Sequence, residues 1–297
     1  MTDPFTFHAL EQLLEGEFPV QDCEQESGFY ALWHDQGLNQ QTPVASAIIG
    51  GALADRPAWV FTAGYQATLR NAFSTLPPGG WAAFAATEDN ADPSAHPPTT
   101  LHDNDTGLRL NGCKSWVGHS RVVDHLIVTV NDPGGDKYKA RAVVIPADRA
   151  GVSLSHREQP RFLSAMSQGF ASFDQTAVDP GEIIPFEPIR QFGRTEAKFV
   201  MLSSAAFLAR RSAAYPDLRD EFIQLAAAII GLIHEHQTSR QVYGVVDRRF
   251  QAAVDRFEEL DGSAAVPDYA RDGRMFRMYS ERIQRRVGYA RDEAART

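Results

Sequence analysis

The sequence predicts an α+β protein with a β-domain, residues 81–188, between a helical N-terminal part, residues 1–80, and a helical C-terminal part, residues 189–297. Strand and hairpin signals are dense only in the middle part. Apolar residues recur at helical spacing on both sides of it. The breaker Leu76-Pro-Pro-Gly-Gly80 marks the first boundary.

The N-terminal part predicts a short set of helices. Apolar positions recur at helical spacing, and Gly37 ends the second helix. The predicted spans are 5–15, 28–36, 42–54 and 59–73.

The middle part predicts strands joined by tight turns. Asn111-Gly112, flanked by alternating residues, is a strong hairpin signal because both central turn positions need positive φ. Asp132-Pro-Gly-Gly-Asp136 predicts a second hairpin tip. This spacing is typical of a small antiparallel barrel or sandwich, and we predict the barrel. The further strands are His125–Val130, Ala140–Ile145 and Gly169–Asp174.

The C-terminal part predicts an antiparallel four-helix bundle. Wide apolar faces recur with helical period from Thr195 onward, and Pro216 separates the first two helices. The predicted helices are 196–214, 217–243, 247–260 and 269–293.

Composition excludes several classes of function. The 297 residues carry a net charge of −9, whereas nucleic-acid binding usually needs a basic surface. Cys23 and Cys113 lack metal-ligand spacing, so we expect reduced thiols and no metal. The N-terminus lacks a signal-peptide pattern, and no apolar run approaches the ~18 residues of a membrane span. We therefore expect a cytoplasmic protein without a membrane span.

An ordered set of motifs resembles the middle domain of the acyl-CoA dehydrogenase family. The resemblance implies that family's fold with a reduced N-terminal domain, FAD as cofactor and α,β-dehydrogenation of an acyl-CoA thioester. It also implies electron transfer to an electron-transfer flavoprotein and a homodimer or tetramer. The motifs are Phe84-Ala-Ala-Thr-Glu88, Leu110-Asn-Gly-Cys-Lys-Ser-Trp-Val117, Asp124 before a hydrophobic strand, Val144-Ile-Pro146, Gly151-Val and Phe173-Asp-Gln-Thr-Ala-Val178.

By this resemblance Thr87 and Trp116 contact the flavin, and Phe84 occupies a position where an aromatic residue often lies. A flavin ring needs hydrogen-bond donors at its polar edge and a flat apolar wall. The alternative is that Trp116 is a core aromatic and Thr87 a strand-end hydroxyl. Two positions depart from the family. Gly118 replaces a hydroxyl residue but still offers its N–H, and Asp92 falls where a Gly is expected.

The C-terminal part resembles the family at two further places. Arg240-Gln-Val-Tyr-Gly244 with Gln251 resembles the segment whose Arg reaches the FAD pyrophosphate of a neighbouring subunit. The alternative is a solvated Arg at a helix end. The segment around Tyr279 resembles the one in which the catalytic Glu follows a Tyr, but here Ser280 follows it.

Glu281 is the nearest carboxylate, and we predict it as the catalytic base. A base needs partial desolvation to raise its pKa. A solvated helix residue is the alternative. Some relatives carry the base on the first long C-terminal helix; Glu196 and Glu221 lie in that region, but no motif marks either of them.

Two other functions stay open. The missing Glu and the glycine at 118 suit a non-catalytic subunit that forms a heteromer with an active homologue. A flavin monooxygenase or oxidase on the same fold does not require a Glu after the Tyr. Retained flavin, bleaching by acyl-CoA and reaction of the reduced flavin with oxygen distinguish these functions.

Overall fold

The fold is described from a computed structural model that covers residues 4–16, 18, 21–89, 91–92, 94–105, 107–130, 141–235 and 239–294. By its internal contacts the chain forms two compact units. The helical unit contains Met1–Cys23, Asp35–Thr68 and Thr195–Thr297, and the β-unit contains Glu24–His34 and Leu69–Arg194. The three-part division at residues 81 and 189 stays a prediction.

The N-terminal helices form where the periodicity predicts them. Pro43 occupies the first turn of the third helix, and Ala45 N donates to the Thr42 side chain at 3.3 Å, which caps that helix. The helices are α1 (Pro4–Glu15), α2 (Glu26–Asp35), α3 (Pro43–Leu53) and α4 (Pro57–Ala72), with a 3₁₀ turn at Leu38–Gln40.

The strands that the structure describes in the β-unit form two four-stranded sheets around one apolar core. The sheet orders are β1-β4-β5-β8 and β2-β3-β7-β6, and β1 pairs with β4 in parallel. The strands are β1 (Ala82–Ala85), β2 (Thr100–Asn104), β3 (Gly107–Gly118), β4 (His125–Val130), β5 (Arg141–Pro146), β6 (Val152–His156), β7 (Gln168–Ala177) and β8 (Ile183–Ile184).

The predicted closed antiparallel barrel is therefore not found among the described strands. The successive strands β1 and β2 enter different sheets, and one pairing is parallel. Alternation of apolar and polar residues is the same in a barrel and in a pair of packed sheets, so the pattern could not decide between them.

The predicted hairpin at Asn111-Gly112 is wrong, because both residues lie inside the continuous strand β3. Gly112 has φ +118° and sits at a register shift between β3 and β7. A β-bulge satisfies the same need for positive φ as a turn. A Cβ at Gly112 would lie 2.4 Å from Pro98 O, and Gln175 N donates to Asn111 Oδ1 at 2.8 Å. The predicted tip at Asp132–Asp136 lies outside the described residues.

The described residues of the C-terminal part form four long helices and one short helix. Helix α6 contacts α7, and α7 contacts α9. The bundle arrangement itself stays a prediction. No described helix is both long enough and apolar enough to cross a membrane. The helices are α5 (Phe186–Arg211), α6 (Pro216–His234), α7 (Arg240–Glu259), α8 (Tyr269–Asp272) and α9 (Ser280–Ala294), with a 3₁₀ turn at Gly273–Arg277.

Two glycines let helices approach each other closely in the helical unit. A Cβ built on Gly51 of α3 would lie 2.3 Å from Ser203 O of α5. A Cβ on Gly64 of α4 would lie 2.5 Å from the Cα of Val200. These contacts fix α5, which carries Glu196, against α3 and α4.

Helix α2 belongs to the β-unit and is held there by a buried carboxylate. Glu26 Oε1 lies 2.9 Å from His119 Nδ1 and accepts from Ser167 N at 3.1 Å. Burial alone would raise the pKa of Glu26, but these hydrogen bonds together hold it below its ordinary value. The ionised form of Glu26 therefore stabilises the unit.

This pair predicts an acid-sensitive stability. A lowered carboxyl pKa contributes stability above the unfolded-state value of 4.5 and loses it as the pH falls through the lower folded-state value. We expect Glu26→Gln to cost about 1–3 kcal/mol at neutral pH and to flatten the acid side of the stability profile. Urea unfolding at several pH values measures this. Glu24→Gln, at an exposed neighbour, is the control and should leave the profile unchanged.

Candidate functional site

Thr87 and Trp116 are brought together by the pairing of the chain after β1 with β3. Ser115 N donates to Thr87 O at 2.8 Å, and Ser115 Oγ donates to the same oxygen at 3.2 Å. Thr87 is exposed, and Trp116 follows Ser115 with a half-buried ring. A hydroxyl and a flat apolar wall are therefore neighbours on one edge of the β-unit.

The indole of Trp116 is fixed from two sides. Its Nε1 donates to Gln168 Oε1 at 3.3 Å, and Gln168 Nε2 donates to Phe162 O at 2.6 Å. A Cβ at Gly118 would lie 3.2 Å from the Trp116 ring, so a larger side chain there would press on it. Packing against the Trp116 ring therefore explains why a glycine, and not the family's hydroxyl residue, occupies position 118.

Phe84 takes part in an aromatic cluster of the β-unit. Its ring centroid lies 5.8 Å from that of Phe73 and 4.5 Å from that of Phe192. These distances are typical of packed aromatic pairs. The structure gives Phe84 a packing role, and its predicted contact with a cofactor stays a prediction.

The sequence reasoning missed a buried ion pair that holds this edge. Lys114 is 1% exposed, and its Nζ donates to Glu88 Oε1 at 2.8 Å and to Thr129 Oγ1 at 3.1 Å. Burial lowers the pKa of Lys114, and Glu88 opposes that shift. Since Glu88 follows Thr87, the pair fixes the position of Thr87. The sequence does contain a signal for this buried pair, because a charged lysine lies inside a strand, between Cys113 and Ser115.

Asp92 lies on an exposed turn. Its Oδ1 accepts from Ser94 Oγ at 2.6 Å and from Ala95 N at 3.1 Å. These hydrogen bonds lower the pKa of Asp92, so it is ionised at neutral pH. An ionised carboxylate repels a pyrophosphate. Asp92 is therefore unsuited to contact a cofactor pyrophosphate.

In the helical unit Arg240 and Gln251 lie on one helix but not together. Arg240 is the exposed first residue of α7, and Gln251 lies three turns later, about 16 Å along the axis. Gln251 Nε2 donates to Phe276 O at 3.2 Å, and its Oε1 accepts from Arg277 at 3.3 Å. Gln251 thus ties α7 to the 3₁₀ turn, and cofactor contact by either residue stays a prediction.

Glu281 lies in surroundings that do not suit a base. Its side chain is 89% exposed and forms an ion pair with Arg285, one helical turn away, at 3.3 Å. A carboxylate that acts as a base needs partial desolvation, and an exposed, ion-paired side chain does not have it. The structure therefore does not favour Glu281 as the base.

Glu196 on α5 has the surroundings that Glu281 lacks. It is half-buried, and burial raises its pKa, while Arg282 and a hydrogen bond with Tyr279 act in the opposite direction. The pKa of Tyr279 is raised well above its ordinary range, first by burial and then by Glu196. Glu221 instead pairs with the half-exposed Arg256. Glu196 thus combines partial burial with a raised pKa.

The residues beside Thr87 fit a flat heteroaromatic group. The half-buried indole of Trp116 supplies an apolar wall, and the exposed Thr87 supplies a hydroxyl for a polar contact. Within the described residues, no three His, Cys, Asp or Glu side chains are grouped so that they could hold a metal ion.

Comparison with solved structures identifies the fold. PigA, solved with FAD and proline, has a TM-score of 0.66 at 15% identity over 100% of this chain and 99% of its own. Butyryl-CoA dehydrogenase from Megasphaera elsdenii has a TM-score of 0.64 at 13% identity over 98% of both chains. The prolyl acyl carrier protein oxidase AnaB has a TM-score of 0.63 at 12% identity over 96% of this chain and 100% of its own. No protein-family model and no curated protein matches the sequence. The chain therefore has the acyl-CoA dehydrogenase fold.

Proposed function

We propose that this protein is a FAD-dependent oxidoreductase that removes hydrogen from the α,β bond of an acyl thioester, with Glu196 as its base. The observation that supports it most directly is the half-buried Glu196 with its raised pKa. A carboxylate of this kind accepts a proton more readily than a solvated one. The fold, shared with butyryl-CoA dehydrogenase, supports the reaction class.

In the proposed reaction Glu196 takes the proton from the substrate Cα. When bound, FAD supplies the acceptor for the hydride that leaves Cβ, so that one C–H bond gives a proton and the other a hydride as the double bond forms. Burial around Glu196 keeps water away from the carboxylate. Burial raises the pKa of Glu196, and Arg282 and Tyr279 partly oppose that rise.

The cofactor would be held by Thr87 and Trp116, with Gly118 leaving room for the indole. Arg240 is exposed, so it could reach a cofactor phosphate in a second subunit, as the family resemblance implies. A homodimer or tetramer, an electron-transfer flavoprotein as acceptor and a cytoplasmic location complete the proposal. The thioester is on CoA or on a carrier protein, since AnaB, a protein of the same fold, acts on a prolyl carrier protein.

The first test is whether the chain retains flavin. We expect protein purified alone, mixed with FAD and gel-filtered, to keep a flavin spectrum that anaerobic acyl thioester bleaches. Trp116→Ala should lose most of the bound flavin because the apolar wall is gone, whereas Trp116→Phe should keep it. Circular dichroism checks that both variants fold. Undiminished flavin in folded Trp116→Ala would remove Trp116 from the site, and a colourless wild-type protein would instead support the non-catalytic subunit.

An oxidase is the second candidate, and the solvated state of Glu281 together with the likeness to AnaB favours it. The same bleached sample distinguishes the two. Rapid return of the flavin colour on admitting air, with hydrogen peroxide formed, supports an oxidase. A bleached flavin that persists in air until an electron-transfer flavoprotein is added supports a dehydrogenase.

A further inference from the structure

A cavity of about 260 Å³ lies in the helical unit, between the end of α1, the end of α5 and the start of α6. Arg210, in the last turn of α5, lines it. Glu196 lies four turns earlier on the same helix, so the cavity is about 21 Å along the axis from that carboxylate. The cavity is therefore separate from the candidate base. It is lined by Leu13, Glu15, Gly16, Phe18, Arg210, Ala213 and Arg219.

Two arginine side chains line the cavity from successive helices. Arg210 comes from α5 and Arg219 from the first turn of α6, and both are half-buried. A guanidinium keeps its charge at any ordinary pH, and its fork of N–H donors matches a carboxylate or a phosphate. Among the described residues of the lining, Glu15 supplies the one carboxylate, and it is exposed. The wall therefore carries more positive than negative charge.

Arg210 is held by a neutral acceptor. Its Nε donates to Phe18 O at 2.5 Å, which leaves both terminal nitrogens for other partners. Within the part of the chain that the structure describes, no carboxylate forms an ion pair with this guanidinium. Burial lowers the pKa of Arg210, and the neighbouring Arg211 lowers it further. The positive charge at this end of α5 is therefore uncompensated.

Two other arginines of the helical unit have acidic partners. Arg56 lies within 3.2 Å of three aspartate side chains, and Arg277 contacts Asp255 and Glu258. A buried charge without a partner is costly. Since the unit pairs these two arginines with carboxylates but holds Arg210 by a carbonyl oxygen, the cavity suits a ligand that brings the missing negative charge.

The apolar part of the lining indicates what the anion carries. Leu13 is 3% and Phe18 is 7% exposed, and Ala213 adds a methyl group. An inorganic anion would leave this apolar surface without a partner, whereas a carboxylate with a short hydrocarbon chain contacts both kinds of group. The volume lies just below the ~300–1,000 Å³ of pockets for drug-sized ligands, so the ligand is small.

We propose that this cavity binds a short-chain carboxylate, with its charged group on Arg210 and Arg219 and its hydrocarbon part against Leu13 and Phe18. The hydrogen bond from Arg210 to Phe18 O fixes the plane of the guanidinium, so that its terminal nitrogens form a fork for the ligand. A donor group that is already fixed loses less entropy on binding. The inference does not depend on the proposed function, because it uses no residue of the candidate site.

Isothermal titration calorimetry of the full chain with sodium butyrate tests the inference. Butyramide has nearly the same shape as butyrate but lacks its charge. We expect saturable binding of butyrate and at least tenfold weaker binding of butyramide, because the charge-assisted hydrogen bonds are lost. Sodium chloride holds the ionic strength constant in all titrations, so that screening of the arginines does not differ between them.

Arg210→Gln and Arg219→Gln should each weaken butyrate binding about tenfold or more, because each removes one cation from the wall. Arg249→Gln is the matched control, since Arg249 is an exposed arginine of the same unit that does not line the cavity. It should leave the affinity unchanged. Circular dichroism checks that the variants fold. If loss of the Phe18 contact unfolds Arg210→Gln, the result with Arg219→Gln decides.

Three results would overturn the inference: no saturable binding of butyrate, equal binding of butyramide, or an equal loss of affinity in Arg249→Gln. Inorganic phosphate that binds as tightly as butyrate would overturn the assignment of a carboxylate with an apolar chain. None of these results tests the proposed function, because the titration needs neither FAD nor an acyl thioester. A protein that turns over no thioester can still bind butyrate here, and the reverse also holds.

Discussion

Glu196→Gln is expected to lower kcat/KM for the acyl thioester by about 10²- to 10⁴-fold, the range over which positioned acids and bases contribute. The amide has nearly the shape of the carboxylate, but it cannot accept the substrate proton. Flavin binding should remain, because Thr87 and Trp116 are unchanged. Stopped-flow bleaching of the flavin under anaerobic conditions measures the proton-abstraction step directly.

Glu281→Gln is the matched control for that variant. Its side chain is 89% exposed, so the loss of its charge should change the bleaching rate by less than about twofold. A large loss in Glu281→Gln with a normal rate in Glu196→Gln would return the role of base to Glu281. Equal losses in both variants would point to a general effect on the C-terminal helices rather than to either carboxylate.

Gly51→Ala is expected to destabilise the protein by about 3 kcal/mol, at the upper end of ordinary overpacking. The added Cβ would lie 2.3 Å from Ser203 O, a backbone atom that can move only if α3 and α5 separate. Urea unfolding with fluorescence and circular dichroism measures the loss. The variant should also lower the rate of flavin bleaching, because α5 carries Glu196.

Gly231→Ala on α6 provides the comparison. An added Cβ there meets nothing within 4 Å, and alanine is the better helix former, so a gain of about 1 kcal/mol is expected. A loss of stability in Gly231→Ala similar to that of Gly51→Ala would contradict the close-approach argument. The deciding result is that Gly51→Ala lowers the free energy of unfolding while Gly231→Ala raises it.

The sequence predicted the elements better than their pairing. His125–Val130 was predicted to its ends, because it is a buried strand bounded by Asp124 and by a turn-rich segment. The Asn111-Gly112 prediction failed because a β-bulge, like a type I′ turn, can need a glycine with positive φ. The strands form two sheets because β1 and β2, which are successive in the chain, enter different sheets. No local sequence pattern indicates with which strand each of them pairs.

The parts of the candidate site that depend on short sequence motifs could be predicted. Thr87 and Trp116 were named from motifs, and the contact of Ser115 with Thr87 brings them together. Glu196 could be named only as one carboxylate of two, since its partner Tyr279 is far along the chain. Burial at a helix crossing, which raises its pKa, depends on packing and not on spacing.

The buried pair of Lys114 and Glu88 has a consequence for how this chain can change over evolutionary time. Removing one partner would leave an uncompensated charge in the interior at a cost of about 3–5 kcal/mol, whereas exchanging both for apolar residues can be neutral. Positions 88 and 114 should therefore vary together among descendants of this sequence. A lineage that loses one of the two charges would have to lose the other soon afterwards, or become too unstable to keep Thr87 in place.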